Sequence, residues 1–175
     1  MPELQRLSAD HAAAVLAFER ENRAYFTRFI SDRGDEYFEQ FTEKYKASLA
    51  LQESGTDAYY VLVDENGSVL GRFNLRDIAD GTAELGYRVA EQVAGRGVAT
   101  ATVREMCRLA AARLGLRTLK AEVTHTNVAS QRVLVNASFV PTGPTDINGK
   151  PATWYERDLT LDRARSDLAN RTREE

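Results

Sequence analysis

Residues 92–99 read Gln92-Val93-Ala94-Gly95-Arg96-Gly97-Val98-Ala99, between a β-patterned segment and a helical one. Two glycines at such a junction permit positive φ and let backbone approach a ligand closely. The helix that follows offers unpaired N–H groups and a partial positive charge at its first turn. Together these features make an anion site suited to a phosphate or pyrophosphate. Two common phosphate motifs do not fit. A Walker A loop needs Lys then Ser or Thr after its last glycine, and Val98-Ala99 stand there. A dinucleotide fingerprint needs a third small residue where Thr100 stands, and an acidic ribose partner at the end of a second parallel strand, which is not evident. What remains is Gln-x-x-Gly-x-Gly. It is followed downstream by Asn127-Val128-Ala129-Ser130-Gln131-Arg132-Val133-Leu134 and then Phe139.

The surrounding pattern tells which elements must position these residues. Residues 3–7 read as a strand, and Ser8 or Asp10 can cap a helix carrying Val15, Leu16 and Phe18. The pattern breaks around Thr27–Gly34. A second helix follows, with Phe38, Phe41, Tyr45 and Leu49 on one face, and Gly55 ends it. Tyr59–Val63 is a buried strand, Glu65-Asn66-Gly67 a hairpin turn, Val69–Leu75 the returning strand and Asp80-Gly81 the next turn. The strand after it alternates, with Ala83, Leu85, Tyr87 and Val89 on one side and Glu84, Gly86 and Arg88 on the other. Beyond the glycine pair, a helix with Val103, Met106, Leu109, Ala110 and Leu114 inward runs to Gly115. Leu119–Val123 is a strand, 129–137 a short helix, Phe139-Val140 opens a strand, Asp146–Lys150 is a loop and Thr153–Leu161 the last strand. Residues 162–175 read as a polar tail or frayed helix. The order β-α-α-β-β-β-α-β-α-β-β predicts a mixed sheet of the α/β (α+β) class, in a single domain over 1–161.

Composition narrows the partners. The chain has 175 residues, 43% hydrophobic and 28% charged, with a net charge of −3. That suits a globular domain and argues against nucleic acid as a partner. The first residues carry no basic n-region or apolar run, and no apolar run is long enough to span a bilayer. One cysteine, Cys107, excludes an internal disulfide and fits a reducing cytoplasm; it reads as packing within its helix. Two histidines, His11 and His125, do not make a usual zinc site, so no metal is expected.

The two motifs in this order resemble the GNAT superfamily of N-acetyltransferases, whose acetyl-CoA signature is Gln/Arg-x-x-Gly-x-Gly/Ala, followed by Asn-x-x-Ser-x-Arg-Val-Leu and Gly-Phe. The resemblance extends to the element order over nearly the whole chain. Within the superfamily the chain looks most like the ribosomal-protein alanine N-terminal acetyltransferases. It implies a mostly antiparallel sheet of about seven strands splayed into a V, with about four flanking helices. It also implies that Gln92 and the amides of Gly95, Arg96, Gly97, Val98, Ala99 and Thr100 hold the CoA pyrophosphate. Backbone at Tyr87, Arg88 and Val89 pairs with the pantetheine arm, and Asn127 bonds the pantetheine or acetyl region. Ser130 stands where relatives place a hydroxyl near the thioester sulfur. The chain departs from the pattern twice. Ser138 replaces the glycine before Phe139, and Leu134 stands where many members carry a tyrosine acid, which leaves Ser130 as the candidate acid.

Acetyl transfer to an amine needs a neutral nucleophile, and Glu84, on the strand meeting the donor, is the candidate base. Its plain alternative is a solvated strand residue. Asn127 and Ser130 can equally cap their helix. For the acceptor, the resemblance points to Tyr25, Phe26, Phe29, Asn74 and Trp154; the alternative for the aromatic trio is to seal the domain. Three functions stay open: acetyl transfer to a protein N-terminal amine, acetyl transfer to a small amine such as an antibiotic, polyamine or amino-acid derivative, and a catalytically silent acyl-CoA sensor. A homodimer is compatible with each.

Overall fold

The structure is a computed structural model and describes residues 1–174, apart from the side chains of Arg163, Ser166 and Glu174. In chain order the elements are β1 (Glu3–Arg6), α1 (Ala12–Glu21), α2 (Arg23–Phe26), α3 (Asp35–Glu39), α4 (Phe41–Glu53), β2 (Ala58–Val63), β3 (Val69–Ala79), β4 (Thr82–Val89), α5 (Val98–Leu114), β5 (Thr118–Thr124), α6 (Val128–Asn136), β6 (Val140–Ile147), β7 (Lys150–Asp158) and α7 (Thr160–Glu174). The strands form one open sheet in the order β1-β2-β3-β4-β5-β7-β6. It is antiparallel where β1 meets β2, β2 meets β3, and β7 meets β5 and β6, and parallel where β4 meets β5. Seven helices among the described residues, rather than about four, flank it, because the first helical region divides into α1 and α2, the second into α3 and α4, and the C-terminal residues add α7. None of the described helices is long and apolar enough to cross a membrane.

The chain forms two compact units, residues 1–76 with 86–96, and residues 77–85 with 97–175. In the first, every residue of β2 is buried, as its unbroken apolar run requires. Its core joins Val15 and Phe18 of α1 to Phe41 and Tyr45 of α4 and to Tyr59 and Val61 of β2. The stripe Phe38-Phe41-Tyr45-Leu49 is not one continuous helix. Gln40 leaves helical geometry at φ −102°, ψ 20°; its N–H donates back to Glu36 O and its carbonyl accepts from Lys44 N. One turn thus closes and the next begins at a single residue. Buried Gln52 ties α4 to the sheet, donating to Leu7 O at 2.8 Å and accepting from Tyr59 N at 2.9 Å. Gly71 is required where β3 passes β4: a Cβ there would lie 2.8 Å from Phe73 and 3.3 Å from the Arg88 carbonyl.

In the second unit, α5 buries Val103, Met106, Cys107 and Ala110, while Leu114 is 36% exposed. The inward face is therefore rotated from the one the leucines suggest, with small residues packed closest. The segment 146–150 is not an open loop. Asn148 and Gly149 both adopt positive φ, 51° and 81°, closing β6 and β7 as a two-residue hairpin, and Asp146 accepts from Gly149 N at 2.7 Å. The polar C-terminal residues form α7. Asp158 accepts from Thr160 N at 2.8 Å at its start, and Leu159 and Asp162 are buried.

α6 ends without glycine. Phe139 N donates to Leu134 O at 2.9 Å and Ser138 N to Val135 O at 3.0 Å, the paired bonds of a Schellman end. Ser138 fills its left-handed position at φ 69°. A non-glycine residue there costs about 1–2 kcal/mol, against about 0.5–1 kcal/mol of extra chain entropy for glycine. Ser138→Gly is expected to stabilise the protein by about 0.5–1 kcal/mol, read as a higher urea midpoint with unchanged slope.

Candidate functional site

β4 ends at Val89, and buried Ala90 donates to Leu70 O at 2.8 Å. A short 3₁₀ turn over Glu91–Val93 follows. Its first N–H, of Glu91, is accepted at 3.0 Å by Oδ1 of buried Asn22, whose Nδ2 donates to Phe18 O. The turn is thereby fixed to the end of α1. Gly95 and Gly97 then take φ of 72° and 76°, and a Cβ at either would meet nothing within 4 Å. Both glycines therefore serve backbone conformation and leave open space above the chain. No side chain caps α5. Its first 1→5 bond runs from Ala101 N to Gly97 O, so the amides of Val98, Ala99 and Thr100 have no intrahelical acceptor. Gln92 and Arg96 are exposed. Backbone donors and a helix dipole converge here on open space.

Asn127 caps α6, its Oδ1 accepting from Ser130 N at 3.3 Å. Gln131 fastens that end to β5 by donating to the Thr124 and His125 carbonyls, both at 3.0 Å. Ser130 is half-buried. His125 bonds Thr153 Oγ1 at 3.1 Å, the role of a polar strand-end residue. On β4, half-buried Glu84 is the last residue in register with β5, opposite Lys120. Tyr87 stacks on Phe73 with centroids 5.8 Å apart.

Three arginines of the first unit converge on one buried carboxylate. Glu19 is 1% exposed. It accepts from Arg72 Nη1 at 2.8 Å, from Arg88 Nη1 at 3.1 Å and from the Arg33 fork at 3.1 and 3.2 Å. Tyr37 completes the cluster, its hydroxyl 3.3 Å from Arg72 and its ring 4.6 Å from the Arg33 guanidinium. Burial pushes the Glu19 pKa up, but Arg88, Arg33 and Arg72 together outweigh that and hold it below the ordinary value. Burial brings Arg88 down to about 10, helped by Arg33 and Arg72 and opposed by Glu19. The Arg88 side chain is thus committed to the cluster and to the Phe26 ring at 4.8 Å. On β3, two residues from Arg72, Asn74 Oδ1 is buried with no hydrogen-bond partner among the described residues.

A model of the acetyltransferase (GNAT) domain matches residues 3–140. The chain belongs to the GNAT acetyltransferase family. It is an acetyl-CoA-dependent acetyltransferase. It is 27% identical over 160 residues to the probable N-acetyltransferase YjcK of Bacillus subtilis (strain 168), covering 87% of this chain and 88% of that one. Similar solved structures include a ribosomal-protein-S5-alanine acetyltransferase from Vibrio fischeri, with TM-score 0.84, 18% identity and coverage of 91% and 93%. They also include a spermidine N-acetyltransferase from Vibrio cholerae in complex with CoA and spermine, with TM-score 0.76, 17% identity and coverage of 92% and 97%.

The aromatics expected at the acceptor divide. Phe26 is a core residue, 6% exposed and 5.4 Å from Phe18. Tyr25 and Phe29 are half-buried and pack edge-on at 5.2 Å. Trp154 is half-buried on β7, opposite Glu122 of β5. Cys107 is fully buried and its thiol is pushed up to about 11, so it packs and is not a nucleophile. The Glu19 cluster is the feature that apolar periodicity conceals. Glu19 follows Val15 by four residues and Phe18 by one, on the face that buries both. A carboxylate on an apolar helical stripe was the available signal.

Removing the Glu19 charge leaves three guanidiniums without their shared partner. Glu19→Gln is expected to cost about 3–5 kcal/mol of stability at neutral pH. Because the folded pKa is depressed, the carboxylate's contribution is complete above the unfolded value, near pH 4.3–4.5, and is lost as pH falls through the folded one. Urea unfolding across pH 3–7 should show that acid-side slope in the wild type and a weaker one in the variant.

Proposed function

We propose that this acetyltransferase moves the acetyl group of acetyl-CoA directly to a protein N-terminal α-amine, within a ternary complex. The observation carrying this reading is the surplus of charge around Glu19, where three guanidiniums face one carboxylate. A polyamine would bring two or more further positive charges toward that surplus, an unfavourable approach at low dielectric. A peptide N-terminus brings one amine, with a pKa of roughly 8 against roughly 10.4 for a lysine amine, and is neutralised more readily near pH 7. Asn74 supports an amine of either kind, since its orphaned Oδ1 needs an N–H donor. The surplus also favours a second reading, a small amino-acid derivative bearing a carboxylate.

In this reading the amides of Gly95 to Thr100 hold the pyrophosphate against the α5 dipole, with Gln92 beside them. Backbone at Tyr87, Arg88 and Val89 pairs with pantetheine, and one of these amides meets the developing oxyanion. Asn127 bonds the pantetheine or acetyl region through the side-chain amide group that does not cap α6. Glu84 takes the proton from the attacking amine, directly or through one water, and Ser130 delivers a proton to the departing CoA thiolate. Tyr25, Phe29 and Trp154 contact the acceptor, and Phe26 supports Tyr25 from the core, their rings 5.9 Å apart. The reaction requires no metal.

The test is thiol release from acetyl-CoA with ribosomal-protein N-terminal peptides, carboxylated amino-acid derivatives, spermidine and aminoglycosides. Release with peptides, and not with spermidine, is expected. Release with amino-acid derivatives alone would transfer the assignment to the second reading. Tight CoA binding with no release from any amine would overturn both acceptor readings for this panel.

Three substitutions separate the roles. Gly97→Glu places a carboxylate in the open space of the turn and should abolish CoA binding in a folded protein. Glu84→Gln should lower kcat by roughly 10²-fold and flatten its pH profile. Asn74→Leu should raise the acceptor KM and leave CoA affinity unchanged. Calorimetry with CoA and steady-state kinetics read all three.

A further inference from the structure

Arginines also gather in a cavity of the second unit, remote from the glycine turn. The cavity holds about 420 Å³, and its lining includes Arg104, Arg108, Ser138, Arg157, Asp162 and Arg165. Among the described residues lining it, four arginines face one aspartate, in a chain whose net charge is −3. Arg157 pairs with Asp162 at 2.7 Å, which offsets one charge. The Arg104 fork donates to the Asn136 carbonyl at 2.7 and 3.3 Å, which holds the guanidinium at the end of α6 without neutralising it. Arg108 stands one turn along α5 from Arg104, so two like charges adjoin, with Glu105 three residues before Arg108 as the opposite charge on the helix. Arg108 and Arg165 are exposed and pair with no carboxylate among the described residues. Ser138 keeps a hydroxyl at this rim in the left-handed conformation that a glycine would adopt without strain.

We infer that this cavity is a binding site for a small phosphate-bearing anion, distinct from the site of the transferred acetyl group. Guanidinium forks match phosphate oxygens two at a time, and their charge persists across the physiological pH range. The volume suits a phosphorylated metabolite, and a concave cavity favours a small molecule over a polymer backbone. The location separates it from the turn. Arg108 lies roughly 15 Å along α5 from Val98. Arg157 pairs with Leu119 near the start of β5, and Asn127 follows the far end of that strand. The inference stands on the cavity alone and does not require the proposed acceptor.

The test is calorimetry on the full chain saturated with CoA, which occupies any donor-site phosphate subsite. The titrants are inorganic phosphate, pyrophosphate, AMP, ADP and a short RNA. Pyrophosphate is expected to bind, more weakly in 200 mM than in 50 mM salt. Amide NMR shifts should fall on the second half of α5 and on α7 rather than on Val98–Thr100. Arg108→Gln with Arg165→Gln should weaken binding at least tenfold, and the lysine pair, which preserves charge and fold, by a smaller factor. Ser138→Gly should weaken it while raising stability. Tighter binding of AMP or ADP than of pyrophosphate would identify a nucleotide, and the reverse a free phosphate compound; either supports the inference. Absence of binding to the CoA-saturated protein, unchanged affinity in both double variants, or RNA bound in preference to every small anion would overturn it.

Discussion

The Glu19 carboxylate is the constraint on which the first unit depends. A lone ionised carboxylate at 1% exposure would be too costly to keep charged. It is kept charged by arginines from three separate places: the segment after α2, β3 and β4. Each contact is a charge-assisted bond, and breaking one would strand a buried charge rather than merely lose an attraction. The cluster therefore fixes α1 relative to β3 and β4 more strictly than apolar packing alone, which tolerates small shifts. Asn22, at the end of the same helix, carries that fixity into the first N–H of the turn after β4.

Donor and acceptor recognition then rest on different parts of the chain's chemistry. The turn at Gly95–Gly97 works through backbone: positive φ, open space above the glycines and three amides without helical acceptors. The Arg96 side chain between the glycines is exposed. In the proposed function the acceptor side works through side chains, with the charge surplus near Glu19 and the orphaned acceptor on Asn74. A backbone site suits a donor common to a whole family, because it survives drift in sequence. A side-chain site suits an acceptor that differs between members.

The same division explains what could be read from sequence. Gly95, Gly97 and Asn127 were legible because backbone requirements restrict residue type sharply, and β2 because six apolar residues in a row admit few environments. Glu19 was not, because periodicity places a residue on a face without saying what pays for its charge. The break at Gln40 was invisible because Gln carries no breaker signal and both flanking turns hydrogen-bond through it. The Asn148-Gly149 turn lies within the expected loop Asp146–Lys150, but polar flanks hid how far the two strands run toward it. Roles at Glu84 and Ser130 are chemical assignments that no local pattern encodes.

Charge distribution connects the two arginine clusters to a general rule. The chain is net negative, yet groups of its arginines outnumber carboxylates in two places, one around Glu19 and one where α5, β7 and α7 line a cavity. Solubility alone would intersperse the signs, since like charges held close together oppose folding. Around Glu19 the surplus is buried, where desolvation already lowers Arg88, so in the proposed function it acts on an acceptor through a field that salt screens little. Along α5 and α7 the guanidiniums are largely exposed and screened by salt, so an anion must be enclosed by several of them at once to be held. Under the proposed function burial turns one surplus into selection against cations, and in the inferred anion site the cavity turns the other into retention of a multiply charged anion.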